Sequence, residues 1–536
     1  NTFLNLKGRT LAAGGELLLA RLLLPVNTNS FNAFNDYTTL FELPRLNWTV
    51  EGSGGSFNTT GSSLIASGGA RRYAYSTVVR SNDTDGWRPV NDDSKDYNAV
   101  NFFKLALTPH SDFLFSYVYG QVKGGDHGGA SPLVTADNNT SRRNYVRSNR
   151  AEIGYHQRFR PGSEFVFVLS GQTDYFLSDD PKGFVLFRPP FKPVNVNVRL
   201  TNRSPDIDVQ AMHLLKISKF QFRYGLDIFE GRAKNQVTNT FPNPADPTDI
   251  IVQQLEPEKS KVRYRSAFLR SDYIVSRKLT VTAGLNYDWA NYRLSIVEEE
   301  HPFGKWNPQV GFLFTPLEAT AFRFAAARVL QTNQQERLVP THVDGFPLNQ
   351  NELTLTLSNT YNFGWDQRFS NRSFLRTTAF KRDRAIPTLD TLPSGDIGRV
   401  DIYGDFYGAG TSFSHFLSER WTLVPDYALT HSRDFYGVRH DHEANLGLFY
   451  IHPRGFTIGV KENYLNQHGL LGAEPTSVSV FTTNATFSYE FPRKIGLLSL
   501  VVNNLTDRHY SYLADPLALD PRIPKRQIRA LMRFYF

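Results

Sequence analysis

The feature that most constrains the fold of this chain is a two-residue alternation of apolar and polar side chains, which recurs in segments of about ten residues. Segments 150–159 and 481–491 show it, and in another the apolar positions are Leu279, Val281, Ala283, Leu285 and Tyr287. Such alternation predicts β-strands with one apolar face and one polar face. A soluble sandwich and a membrane barrel both satisfy it.

The lengths of the connections favour the barrel. Short polar turns fall near residues 69–71, 109–111, 160–163, 218–219, 276–278, 316–319, 370–372, 418–420, 453–455 and 492–495. Between them lie connections that are usually much longer, at residues 82–96, 124–146, 178–204, 232–259, 332–357 and 383–399. Alternating tight turns and long loops are typical of an outer-membrane barrel. The sequence therefore predicts an all-β, transmembrane antiparallel β-barrel of about 22 strands, with both termini on the periplasmic side.

Composition excludes the other membrane architecture. The most apolar run of the 536 residues, residues 11–26, contains Glu16 and Arg21 and is shorter than the roughly 20 apolar residues of a membrane helix. Aromatic residues reach 14%, which fits the aromatic girdles of a barrel. The chain has no cysteine, so disulfides, thiolate nucleophiles and cysteine-based zinc sites are excluded.

The two ends of the chain differ in character. Residues 46–536 are assigned to the barrel, and its last strand closes on the apolar residues Phe534 and Phe536. We expect this strand to pair with the first strand and to resemble the signal read by the barrel-assembly machinery. Residues 1–45 are expected to form a short, partly helical segment, with a helix from Thr10 to Leu24 that ends before Pro25. This segment is expected at the periplasmic mouth or in the lumen.

The segment from Val502 to Tyr510, with the letters VNNLTDRHY, precedes the closing strand. This segment, the strand count and, more weakly, the stretch TDGWRPVND that begins at Thr84 resemble the barrel of TonB-dependent receptors. The resemblance covers roughly residues 46 to 536. It implies an outer-membrane transport protein, a channel or receptor for a solute, whose wide lumen must be blocked by the N-terminal segment, the long loops or another chain.

We expect the chain to differ from that family before the barrel, where a receptor carries a large globular plug. Residues 16–27 instead resemble the closing helix and proline of a tetratricopeptide repeat, and residues 32–42 are similar to the linker of repeat–barrel fusions. The alternative function is therefore an export or assembly scaffold that passes or anchors a polymer or protein partner at the outer membrane.

No catalytic motif is present, so the sequence predicts neither an enzyme nor a cofactor site. One metal-like group joins His440, Asp441, His442 and Glu443 with His431, but a solvated hairpin tip explains it better. Residues 82–87 are similar to the start of a calcium loop, yet the remaining ligand positions and the closing glutamate are missing, and turn chemistry is again the better explanation.

The net charge of +8 points to basic residues inside the barrel. Alternation assigns the following to the lumen: Arg150, Arg158, Arg263, Arg265, Arg323, Lys461, Arg529 and Arg533. Rings of cations in a pore favour anions. Alternatively, these side chains bind lipopolysaccharide phosphates or form ion pairs with lumenal carboxylates such as Glu152 and Glu490.

Recognition is expected on the outer loops, because rigid barrels place variable chemistry there. Residues 178–195 are stiffened by proline and carry the aromatic recognition candidates Phe184, Phe187 and Phe191. Residues 238–250 carry three further prolines. These loops would form a lid, dock a surface partner, or pack on each other. Expected partners are outer-membrane lipid or lipopolysaccharide, the barrel-assembly machinery, and a periplasmic or surface protein; nucleic acid is not expected.

Overall fold

The computed structural model describes residues 46–536 apart from residues 71, 89, 126–140, 187–193, 244–249, 295–296, 332–337, 339–341, 349–354, 392–396, 435–436, 472–473 and 509–524. The predictions for residues 1–45 and the candidates Phe187 and Phe191 lie outside the described part. No helix among the described residues is long and apolar enough to cross a bilayer.

The described chain is almost entirely strand. The strands are β1 (Asn47–Gly55), β2 (Thr59–Ala70), β3 (Tyr73–Thr84), β4 (Ser94–Thr108), β5 (Ser111–Gly124), β6 (Arg143–Arg160), β7 (Ser163–Leu186), β8 (Val194–Ile217), β9 (Phe220–Pro242), β10 (Ile250–Gln254), β11 (Glu258–Ser276), β12 (Leu279–Leu294), β13 (Val297–Leu317), β14 (Thr320–Leu330), β15 (His342–Val343), β16 (Phe346–Pro347), β17 (Leu357–Ser370), β18 (Ser373–Thr391), β19 (Ile397–Phe416), β20 (Trp421–Asp434), β21 (Gly437–Ile451), β22 (Phe456–Leu471), β23 (Glu474–Glu490), β24 (Gly496–Asn503) and β25 (Gln527–Tyr535).

Twenty-two of these strands form one closed antiparallel barrel, which confirms the predicted fold class and strand count. Each barrel strand pairs with the next along the chain. Two pairings skip strands in the chain order. β9 pairs with β11 because the short strand β10 pairs only with the end of β9, and β14 pairs with β17 because β15 and β16 pair only with each other.

All ten predicted short turns fall within two residues of junctions at one end of the barrel, here called the turn end. The opposite, loop end holds the longer connections. The alternation of short and long is not strict, because β12 and β13 are separated there by only residues 295–296, and β20 and β21 by only residues 435–436. The prediction of short connections at the turn end was therefore right, whereas the prediction of long connections at the loop end holds for only some of them.

The two faces of the wall differ as a membrane barrel requires. On β9, Leu226 and Ile228 are 55% and 47% exposed, whereas Asp227 between them is fully buried. The face with exposed apolar side chains is the outer face, and the other is the lumenal face. Aromatic pairs lie on the outer face towards both ends, with Phe220 stacked on Tyr273 near the turn end and Tyr145 beside Tyr175 nearer the loop end.

The barrel closes where β25 pairs with β1. Main-chain hydrogen bonds join Trp48 and Phe536 in both directions, at 3.0 and 2.8 Å. On the lumenal face of this seam, Arg533 donates to the carboxylate of Glu51. Phe534 and Phe536 lie on the outer face and stack loosely on each other, with ring centroids 6.4 Å apart. The aromatic end of the chain thus covers the seam towards the lipid.

One connection does not stay at the loop end. Residues 331–356 join β14 to β17 and are here called the lumenal loop, and its described residues 338 and 342–348 lie inside the barrel. The loop carries the short hairpin of β15 and β16, whose turn residues Asp344 and Gly345 both have positive φ, at 46° and 86°. An Asp-Gly turn is a favoured hairpin connection because both central residues tolerate positive φ.

Candidate functional site

The lumenal loop enters the barrel through a hydrogen-bonded neck. The amide of Gln331 donates to the carbonyl of Thr356 at 2.9 Å, and the amide of Leu355 donates back to the carbonyl of Gln331 at 2.8 Å. Leu355 and Leu330 pack with the lumenal ring of Tyr264 in a buried apolar cluster. The two ends of the loop therefore lie side by side at the loop end.

The hairpin of the loop lies much deeper, near the turn end. The guanidinium of Arg323 lies over the ring of Phe346, with its carbon 5.2 Å from the ring centroid. Residues 323 and 331 are eight positions apart along the wall, which is roughly 26 Å of strand. The described neck and hairpin therefore lie at well-separated depths in the lumen.

Polar side chains of the wall hold the loop at three points. Arg270 on β11 donates to the carbonyl oxygen of His342. Thr282 on β12 donates to the Asp344 carboxylate at 3.2 Å. Gln210 on β8 accepts a hydrogen bond at 2.5 Å from the amide of Leu338. These contacts satisfy groups that would otherwise be buried without partners.

Asp272 links two of these anchors. It accepts hydrogen bonds from Thr282 at 2.9 Å and from Arg270 at 3.4 Å, and it also pairs with Arg223. Two arginines thus face two carboxylates, those of Asp272 and Asp344, in a water-poor part of the lumen. Asp344 joins this group only while the loop is docked, because it belongs to the loop.

Burial raises the pKa of Asp344 above its ordinary value. The hydrogen bond from Thr282 and the charge of Arg270 act in the opposite direction, and the neighbouring carboxylate of Asp272 adds to the increase. The Asp344 carboxyl therefore binds a proton more tightly in the docked loop than it would in water.

Apolar packing gives the loop its main adhesion. Val343, Phe346 and Leu348 are buried against Ala325 and Ala327 on the lumenal face of β14. Fully burying one such large side chain contributes roughly 1.5–3 kcal/mol, although ordering the loop residues opposes this. The small alanines leave the space that the hairpin occupies.

Leu338 lies in a second apolar cluster, on the other side of the loop. It is buried with side chains of four wall strands, β5, β7, β8 and β11, in the group Leu114, Val166, Val168, Met212 and Phe268. Apolar side chains on a lumenal face are unusual for a water-filled barrel. Here they form a dry contact for the loop.

Close approach of the loop to the wall also requires glycine. A Cβ atom added at Gly311 on β13 would lie 2.1 Å from a carboxylate oxygen of Asp344 and 2.8 Å from the carbonyl oxygen of Phe324. No larger residue fits there without displacing the hairpin. Gly120 on the distant strand β5 has open space at the equivalent position, with nothing within 4 Å.

Six of the eight predicted basic residues lie on the lumenal face by strand register: Arg150, Arg158, Arg323, Lys461, Arg529 and Arg533. Most of their charges are offset by lumenal carboxylates. Arg150 lies 3.1 Å from Glu152, Arg158 3.4 Å from Glu164, Arg323 2.9 Å from Asp366, and Arg533 contacts Glu51. Such pairs favour the ion-pair alternative over an anion-selective ring.

The lumenal assignment of Arg263 and Arg265 was wrong. Both lie on the outer face of β11, where Arg265 stands 5.1 Å over the ring of Trp289 and Arg263 lies 3.7 Å from Glu230. The error has a physical cause. Placing Arg263 and Arg265 in the lumen would turn the residue between them, Tyr264, towards lipid. Tyr264 and Phe268 instead face the lumen, where they pack against the lumenal loop and its neck.

The metal-like group is divided between the two faces of β21. His440 and His442 lie on the outer face, where His440 contacts His431 with nitrogens 3.0 Å apart. Asp441 lies on the lumenal face and accepts from Gln467 at 3.0 Å. Within the described ranges, no three His, Asp or Glu side chains are arranged to hold a metal ion.

The calcium-like stretch is a turn. Gly86 has a φ of 78°, Asp85 accepts from Asn58 at 2.6 Å, and Asp92 is occupied by an ion pair with Arg88 at 2.5 Å. The carboxylates therefore organise the β3–β4 connection.

The predicted outer loop at residues 178–195 is mostly a two-stranded ribbon. β7 and β8 remain paired to Leu186 and Val194, and Phe184 lies opposite Val196. The second loop begins likewise, since β10 pairs with the end of β9 as far as Pro242. Their roles in recognition remain predictions.

A recess of about 450 Å³ opens in the lumenal wall near the loop end. Its lining includes Arg150, Gln172, Asp174, Asp206 and Phe229. Carboxylates, an amide and a guanidinium thus converge beside one aromatic ring. This combination suits a polar solute. Sequence reasoning found Arg150 but not its neighbours, because no motif links residues on strands β6 to β9.

The C-terminal segment that carries the family resemblance has a structural role. Asn504, at a φ of 51°, accepts from the amide of Arg508 at 2.9 Å and donates to its carbonyl at the same distance. Asp507 accepts from the amide of Arg526 at 2.7 Å. The Asn and Asp of the motif thus shape the connection from β24 to the closing strand.

Comparison with known proteins agrees with this architecture. Residues 83–505 match the family model described as "TonB dependent receptor-like, beta-barrel". No curated protein matches significantly.

Solved structures share the fold at low sequence identity. The copper transporter OprC superposes with a TM-score of 0.72 at 12% identity, over 93% of this chain and 81% of that one. The siderophore receptor PiuA from Acinetobacter baumannii gives 0.69 at 12%, over 92% and 82%. The ferric-catecholate import receptor Fiu from E. coli K12, in its closed form, gives 0.66 at 12%, over 92% and 82%.

These similar structures show that the chain shares its fold with proteins named as receptors and transporters. Because the family model spans most of the barrel, the sequence and the fold lead to the same assignment. The chain belongs to the TonB-dependent receptor-like β-barrel family and is an outer-membrane transport protein.

Proposed function

We propose that this barrel admits a polar solute across the outer membrane and that the lumenal loop narrows its pathway. The observation that carries this proposal is the docking of the hairpin deep in the lumen, with Arg270 bound to His342 and Phe346 beneath Arg323. A barrel of 22 strands encloses a lumen wide enough to need such an obstruction.

The solute class follows from the wall. The recess beside Arg150 and Asp206 offers both signs of charge, an amide and one aromatic ring, so we propose a small polar solute with donors and acceptors. OprC is a copper transporter and Fiu is a ferric-catecholate import receptor. A metal-chelate solute for this chain is a proposal that these similarities support.

We further propose that the turn end and both termini face the periplasm, as in barrels with tight periplasmic turns and longer outer loops. The aromatic closing strand would then be presented to the barrel-assembly machinery, and the outer face towards the loop end would meet lipopolysaccharide. The rims would meet periplasmic or surface partner proteins.

Single-channel conductance in planar bilayers tests the role of the lumenal loop. Replacing residues 332–354 by a short Gly-Ser linker should leave heat-modifiable gel migration intact, because no barrel strand is altered. It should raise the conductance several-fold. Shortening residues 126–140 of the β5–β6 connection is the matched control and should have no such effect. Equal conductance of the excised and parent proteins would refute the obstruction.

The alternative function, an export or assembly scaffold, is supported by the likeness of residues 16–27 to a tetratricopeptide repeat. Solute uptake into proteoliposomes separates the two functions. Uptake that rises when the loop is excised favours transport. Absence of uptake, together with a polymer or protein that copurifies with the barrel and depends on residues 1–45, favours the scaffold.

A further inference from the structure

The misassigned Arg263 and Arg265 belong to a larger feature of the outer face. On strands β6, β8, β9 and β11, eight cations occupy outward positions in four successive outward rows towards the loop end. This cationic outer surface consists of Arg147, Arg203, Arg232, Lys234, Lys259, Lys261, Arg263 and Arg265.

The register places like charges directly opposite each other. Arg203 is the partner of Lys234, and Lys234 is in turn the partner of Lys259 on the next strand. Arg232 is likewise opposite Lys261. Adjacent strands are only about 4.8 Å apart, and like charges at opposed positions destabilise a sheet. Such an arrangement calls for an anion that lies across several strands.

The protein supplies little of that negative charge itself. In the four rows that run across β6 to β11 through the cations, Glu230 is the acidic residue at the described outward positions. Its carboxylate lies 2.8 Å from Arg232, 3.1 Å from Lys261 and 3.7 Å from Arg263. One carboxylate therefore faces eight cations.

The surface lies where a bilayer would end. The row of Arg265 continues through Ile228 and Val209. The outward positions below it are mostly apolar, with Ser271 and His213 as exceptions, down to the stacked rings of Phe220 and Tyr273. Residue 265 is eleven positions from the end of β11, which corresponds to roughly 28 Å along the membrane normal at a 40° tilt. This matches the apolar band of about 25 Å in outer-membrane barrels.

Aromatic rings accompany the cations, as expected at a headgroup level. Arg147 lies 5.9 Å over the ring of Tyr175, and Arg265 lies 5.1 Å over that of Trp289. These contacts hold the guanidinium stems against the wall and leave their outer donors for a ligand.

We propose that the cationic outer surface binds the phosphate groups of lipopolysaccharide in the outer leaflet. This inference rests on the proposed orientation, with the loop end outside. Guanidinium groups bind phosphate oxygens in a bidentate manner, and lysines add point charges. A phosphorylated glycolipid has its anionic groups at the level of these rows and its acyl chains beside the apolar band below them.

The test measures lipopolysaccharide retained by the purified full chain in detergent, by native mass spectrometry and by dissociation rate. The variant R203Q/K234Q/K259Q removes the opposed row and should lose the lipid several-fold faster. R203K/K234R/K259R keeps the charge and should retain it. The matched control is R433Q, an outward arginine paired with Asp405 at 2.6 Å on another part of the barrel, and it should behave as the parent.

Dephosphorylated lipopolysaccharide should bind the parent and the triple glutamine variant equally weakly. Parental retention by the triple glutamine variant, or equal retention of phosphorylated and dephosphorylated lipid by the parent, would overturn the proposal. Capture of an acidic protein in lipid-free detergent, with no lipid effect, would assign the surface to a protein partner instead. Conductance in phosphatidylcholine bilayers reports on the lumenal loop alone, so failure of either proposal is recognised separately.

Discussion

The guanidinium of Arg270, on strand β11, donates to the main-chain carbonyl oxygen of His342, which lies 72 positions further along the chain in the lumenal loop. A side chain of the wall thus recognises the loop through its backbone. The contact depends on the position of the hairpin and not on the identity of the side chain at position 342.

Replacing Arg270 with alanine should loosen the loop. The substitution removes the donor to His342 and one partner of Asp272, and breaking a buried charged network costs about 3–5 kcal/mol. Single-channel recordings should show more frequent or larger openings than in the parent. Arg265→Ala, on the outer face of the same strand, is the control and should leave the recordings unchanged.

Phe346→Ala tests the apolar contact of the hairpin. Removing a buried phenylalanine side chain costs roughly 3–5 kcal/mol of stability. Here the cost destabilises the docked position of the loop, because the barrel strands keep all their hydrogen bonds. Limited proteolysis should cut residues 331–356 faster, with an unchanged barrel melting temperature. Phe481→Ala, on the outer face of β23, should not alter the cutting rate. A uniform drop in barrel stability without faster loop cleavage would contradict this assignment.

Docking should depend on pH through Asp344. Its pKa is raised by burial, so docking takes up a proton. Protonation of Asp344 stabilises the docked loop. This stabilisation is fully present below the ordinary aspartate pKa of about 3.9, and it is lost as the pH rises through the raised pKa of the docked state. Conductance should therefore fall as pH is lowered through that window. Asp344→Asn mimics the protonated group and should give low conductance at every pH. A pH profile identical to the parent would exclude Asp344 as its origin.

Gly311→Ala should expel the hairpin by contact alone, since its Cβ would lie 2.1 Å from Asp344. We expect the conductance of this variant to approach that of the loop excision, with normal gel migration. Gly120→Ala, where the added methyl meets open space, is the matched control. Parental conductance in Gly311→Ala would show that the loop lies further from β13.

The sequence was sufficient for the barrel because lipid and water impose alternation on every strand, and turn residues such as Pro109 and Gly162 lie at its tight end. It failed where the lumen is dry. Tyr264 and Phe268 pack against apolar residues of a loop and its neck and not against lipid. The alternation of apolar and polar residues cannot tell these two apolar environments apart.

The loop itself left one local signal. Asp344-Gly345 between Val343 and Phe346 is a hairpin turn flanked by apolar residues, within a connection that was predicted only to be long. Its destination was not readable, because the contact of Leu338 with Gln210 joins residues 128 positions apart. The alanines at 325 and 327 acquire meaning only once the hairpin is known to lie against them.

The hydrogen bonds between neighbouring strands fix the circumference of a wide barrel but not the shape of its cross-section. The cross-section can therefore change from a circle towards an ellipse at little cost in free energy. The lumenal loop changes this mechanics. It is fastened to β8 through Gln210, to β11 through Arg270 and to β14 through the packing of Val343 and Phe346. A loop that is bound to several separated strands resists such flattening. Excising the lumenal loop should therefore make the barrel easier to deform in cross-section, as well as widening the open pathway.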